Sequence, residues 1–177
     1  MDVTNLTGNS VKNTILFIIL VLMQVLVCNN ILLFGVAVPM VFIYFIIFLP
    51  LGTNLNLFIT LAFLLGFLVD LFSDTLGLNS LACIILAVVR RPVFYAYMPR
   101  EDKNLDISPS IISMGWENYI KFILTLSAIF CFMIFAIEFI SFTVFWRMIL
   151  MTFTSALLTS LLLIGIDSIV NTQSRHW

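Results

Sequence analysis

Long apolar runs separated by short polar or Pro/Gly breaks decide what this chain can fold into. Residues 14–28, 36–49 and 76–89 contain no charged side chain, and 55–71 contains only Asp70. Residues 119–140 add Lys121 and Glu138, and 142–170 add Arg147 and Asp167. Crossing a hydrocarbon core of about 30 Å takes roughly 20 apolar residues in a helix. The runs do not alternate with period two, which excludes an outer-membrane barrel. Helices are then the remaining way to satisfy every backbone polar group in lipid. Composition agrees: 62% of residues are hydrophobic and 10% charged, against about 45–50% and ~25% in soluble domains. With a mean hydropathy of +1.18, these values exclude a soluble enzyme, a nucleic-acid-binding module and a disordered chain. The expected fold is an all-α integral membrane protein, a bundle of about six transmembrane helices.

The spans are expected at about 14–28, 36–49, 55–71, 76–89, 119–140 and 142–170, with 1–177 forming one polytopic domain. Pro39 fits the first turn of the second span, and Pro50-Leu51-Gly52 stops it. The second and fourth are short. The fourth lengthens if Arg90 and Arg91 snorkel and Tyr95 and Tyr97 sit in the headgroup layer. A re-entrant hairpin of spans three and four is the rival arrangement. Leu26-Val27 before Cys28 lacks the small residues of a signal cleavage site, so the first helix is expected to stay uncleaved. With six crossings, Lys12, Arg90, Arg91, Arg100, Lys103, Lys121 and Arg175 share one side and only Arg147 lies opposite. The positive-inside rule makes that side, with both termini and loop 90–118, cytoplasmic. Within the loop, Ser108-Pro109 reads as N-cap and first residue of an interfacial helix.

Few residues offer chemistry. Cys28, Cys83 and Cys131 lie scattered in apolar runs, and His176 is the sole histidine, so no metal or disulfide framework is expected. Nucleotide-binding glycine motifs and a nucleophile elbow are missing. A net charge of −1 gives no field for nucleic acid. No catalytic residue, cofactor or metal site is therefore expected. Intramembrane ionisable groups still need an explanation. Asp70 follows Gly66 by four residues on one helical face, where glycine permits close approach and the carboxylate bonds across the contact. Glu138 and Arg147 are placed to close a turn. Asp167 is level with Arg90 and Arg91, which suggests a cross-helix pair. Gln24 needs an interhelical partner, and Thr152, Ser155 and Thr159 form a small-residue packing stripe.

Phe48-Leu49-Pro50, then Gly66-Phe67-Leu68-Val69-Asp70-Leu71, then Leu76-Gly77-Leu78-Asn79-Ser80-Leu81-Ala82 together resemble the rod shape-determining membrane protein family MreD. Gln24 late in the first span also fits, while Asp74 stands where that family often has a small residue. The resemblance implies a fold similar to the substrate-binding subunits of energy-coupling-factor vitamin transporters. It further implies a non-enzymatic scaffold of the bacterial inner membrane that binds MreC. That scaffold would link the MreB filament, RodA and a class B penicillin-binding transpeptidase to sidewall peptidoglycan synthesis and rod-shape maintenance. Two other readings stand beside it. One is a small-solute transporter subunit using Gln24, Asn29, Asn30 and Asp70 as an outward pocket, although the first span lacks the alanines such subunits use for docking. The other is a membrane hydrolase built on Asp70 and Asp74.

Overall fold

The computed structural model describes residues 3–26, 28, 38–75, 77–98, 109–138 and 145–173, and these are all-α with no strand among them. The helices are α1 (Val3–Leu26), α2 (Ile43–Phe48), α3 (Leu55–Ser73), α4 (Leu78–Tyr97), α5 (Ile111–Met114), α6 (Trp116–Glu138) and α7 (Phe145–Gln173). Four stretches are long and apolar enough to cross a membrane: Leu55–Ser73, Leu78–Tyr97, Trp116–Ile137 and Met148–Ile169. Only 33–44% of each is buried inside the protein. Their outer faces carry Leu57, Phe63, Phe67, Leu81, Phe132, Phe153 and Leu161, all exposed. Apolar surface of that extent has no place in water and suits lipid. The chain is an all-α membrane bundle.

Helices α3 and α4 form one antiparallel hairpin and α6 and α7 another, with α4 packed against α6. The core is centred on α2, whose residues Ile43, Tyr44, Phe45, Ile46 and Ile47 are all buried. Phe45 meets Phe17 of α1 edge-on at 5.2 Å, and Phe42 meets Phe130 of α6 at 5.6 Å. Such edge-to-face pairs add specific geometry to the burial itself.

Three elements differ from the sequence expectation. Among the described residues of the second segment, expected as a helix over 36–49, only Ile43–Phe48 is α-helical, and residues 38–40 approach it without helical bonding. Pro39 accounts for the start of this stretch only. It disfavours helical backbone at Val38 and has no N–H of its own to donate. The fourth segment does not stop at Arg90-Arg91-Pro92; α4 runs through them to Tyr97 with Pro92 inside the helix. With 19 and 20 residues, α3 and α4 are each long and apolar enough to cross a membrane. The interfacial helix begins two residues later than Ser108-Pro109 suggested. Ser110 caps α5, accepting from the Ser113 N–H at 3.2 Å, while its own N–H donates to Ser113 Oγ at 3.1 Å.

Candidate functional site

The polar groups of this bundle gather in three places. The first joins α3 to α4. A Cβ built on Gly66 would stand 2.6 Å from Asn79 O and from Ser80 Cα. Because both are backbone atoms, not even alanine fits, and the two helices touch main chain to main chain. One turn further along α3, the Asp70 carboxylate faces the first turn of α4. Its Oδ1 accepts from Asn79 N (3.0 Å), Asn79 Nδ2 (3.0 Å) and Thr75 Oγ1 (2.6 Å). Its Oδ2 accepts from Ser80 N (2.8 Å) and Ser80 Oγ (2.5 Å). The N-cap of α4 is Gly77, in the left-handed region with φ +78°, and it brings no capping side chain. Asp70 supplies that cap from the neighbouring helix, placing negative charge on the positive end of the α4 dipole. Asp74 ends α3 at φ +56°, donating its N–H to Asp70 O. Its side chain is exposed while Asp70 is buried, so the two carboxylates are not set up as a facing pair.

The second place is the non-helical approach to α2. Buried Gln24 of α1 donates Nε2 to Pro39 O (3.1 Å) and accepts the Val41 N–H on Oε1 (2.9 Å). From α7, Ser155 Oγ accepts the Val38 N–H (3.0 Å) and Thr159 Oγ1 accepts the Met40 N–H (3.1 Å). Both of these partners of Gln24 are backbone groups of the stretch that leads into α2. Two members of the small-residue stripe act as acceptors, whereas Thr152 bonds back to Met148 O within α7. Unwound backbone at membrane depth is tolerated only when protein supplies these bonds.

The third place lies at the opposite end of the α3–α4 hairpin from its turn. Arg90 does not snorkel; it is 1% exposed, donates Nη2 to Leu49 O, and lies 5.0 Å from the Phe58 ring centroid. Arg91 Nη2 donates to Leu51 O (2.9 Å) and Thr53 O (2.7 Å). Pro50, exposed, accepts the Thr53 hydroxyl at 2.8 Å, so the two arginines and Thr53 together fix the turn after α2. The expected pairing of Asp167 with Arg90 and Arg91 is not formed. Buried Asp167 accepts instead from Tyr44 of α2 (3.3 Å) and from Tyr119 of α6. The arginines lie nearer to carbonyls at the end of α2, where the helix dipole is negative. The expected Glu138–Arg147 pair falls on side chains outside the described residues.

Polarity alone does not single out Tyr44, Thr75, Asn79, Ser80 or Tyr119 in the sequence. Asn79 and Ser80 had a usable signal, since Gly77-Leu78-Asn79-Ser80 after Asp70 reads as a helix start. Tyr44 and Tyr119 lie 123 and 48 residues from Asp167, beyond any local pattern. Among the described residues no group of three or more His, Cys, Asp or Glu stands ready for a metal. A cavity of about 550 Å³ opens between the α3–α4 turn and the approach to α2, lined by Gln24, Met40, Ser73, Thr75 and Asn79 among others. Comparison of the sequence with protein-family models and with characterised proteins, and of the fold with solved structures, finds no match.

Proposed function

We propose that this chain is a non-enzymatic membrane scaffold of the bacterial cell-elongation machinery, working by contact and not by turnover. In this reading it lies in the inner membrane with both termini cytoplasmic. It binds MreC directly and, through the larger complex with MreB, RodA and a class B transpeptidase, supports sidewall peptidoglycan synthesis. One observation carries the reading. The residues on which the MreD resemblance rests, Gly66, Asp70 and Gly77, are all spent on fixing the geometry of a helical hairpin. A carboxylate holding five donors has no lone pair left for acid–base work, and a rigid turn suits a docking surface. Substituting Gly66→Leu pushes α3 off α4. It is expected to weaken co-purification of MreC at equal expression and to round the cells. Undiminished co-purification at equal expression, with α3 and α4 forced apart, would overturn the assignment.

The cavity beside Gln24 and Asn79 favours a second reading, a small-solute transporter subunit. Its volume lies within the range of small-molecule sites, about 300–1,000 Å³. Both Gln24 and Asn79 already bond within the protein, which weakens their use for a solute. Thermal stabilisation by any of a panel of water-soluble vitamins favours the transporter, because a scaffold has no such ligand to gain from.

A further inference from the structure

Arg90 and Arg91 stand side by side, and no carboxylate among the described residues pairs with either. Among the described residues the sole ion pair joins Lys121 to Glu117, and neither arginine meets a carboxylate. Arg90 is buried with its Nε lacking any acceptor. Backbone carbonyl oxygen and the Phe58 ring offset part of its charge. A desolvated cation held only by dipoles remains costly until a counter-charge comes near. Arg91 is only half-buried, and it uses Nη2 alone for the two carbonyls, leaving Nε and Nη1 with no protein acceptor among the described residues. A guanidinium edge with open N–H groups matches the geometry of a phosphate.

The surroundings of Arg91 decide which anion reaches it. On the same side of α4, Val88 lies one turn before at 50% exposed and Tyr95 one turn after at 39%. Pro92 beside them is exposed as well. An apolar residue above and a tyrosine below place Arg91 where hydrocarbon gives way to headgroups. We propose that Arg91, backed by the buried charge of Arg90, binds the phosphate of an anionic phospholipid at this end of α4. The lipid supplies the counter-charge that no described residue provides, and its chains lie along the Val88 face. Phosphate binding also stiffens the 49–53 turn, because the same guanidinium holds Leu51 O and Thr53 O.

The test is native mass spectrometry of the full-length protein in detergent with phosphatidylglycerol or phosphatidylcholine of identical chains. Phosphatidylglycerol is expected to bind at least about fivefold more tightly, the order one arginine contributes at an anionic surface. Raised salt should erode that preference. The variant Arg91→Gln should bring the two lipids to parity, Arg91→Lys should keep part of the difference, and Lys121→Gln should keep all of it. Equal binding of both lipids to the unmodified protein overturns the proposal, and so does an undiminished preference in Arg91→Gln. Should Arg91→Gln not fold, the wild-type preference and its salt dependence decide. Displacement of phosphatidylglycerol by inorganic phosphate at equal concentration overturns the lipid as the source of the anion. Displacement only by an acidic peptide overturns it in favour of a protein partner.

Discussion

Asp70 shows how much one side chain settles in lipid. It closes the start of α4, ties down Thr75, and receives both the backbone and side chain of Asn79 and Ser80. Asp70→Ala strands several donors in an apolar surround at about 1–3 kcal/mol each. The expected loss is on the order of 3 kcal/mol or more, seen as a lower thermal midpoint in detergent. Asp70→Asn keeps one acceptor oxygen while its amide faces donors, so an intermediate midpoint is expected. A midpoint equal to the native one in both variants would show that Asp70 does not hold the hairpin. Gly66 works beside it by having no side chain, and Gly77 by accepting a left-handed backbone. That pairing was legible from spacing alone, since Gly66 and Asp70 share a helix face.

At the scale of elements, the long helices were legible and the irregular one was not. Runs such as 55–71 and 119–140 are predominantly apolar over a helix-long stretch, and α3 and α6 cover nearly the same residues. The stretch 36–49 is equally apolar, yet hydrophobicity does not distinguish a buried helix from a buried extended chain. What distinguishes them here is the supply of acceptors on other helices: Gln24, Ser155 and Thr159. Arg90 departs from the sequence expectation for a related reason. A cation near a helix end is expected to reach water, and the carbonyl of Leu49 that draws it inward belongs to a segment 41 residues away. Gln24→Leu preserves the volume but leaves Val41 N–H and Pro39 O bare. The expected cost is about 2–6 kcal/mol for two unsatisfied buried groups, measured as a lower unfolding midpoint. Gln24→Glu, which retains the acceptor for Val41, should lose less. Equal midpoints for native and Gln24→Leu proteins would refute that role.

For the whole molecule, the sidedness rests on Lys and Arg positions and is open to direct labelling. Cys28, Cys83 and Cys131 are buried, so introduced thiols will report against a low background. In intact cells a membrane-impermeant thiol reagent is expected to modify Asp74→Cys and to spare Lys103→Cys. The reverse pattern would invert the topology. One more consequence follows from the unwound approach to α2. The amides of Val38 and Met40 close onto α7, 117 and 119 residues later in the chain. During synthesis this early stretch therefore has no finished place in the bilayer until the last helix has been made. Biogenesis must shelter it meanwhile, and a chain cut short before α7 leaves the approach to α2 without those acceptors, however well the other helices insert.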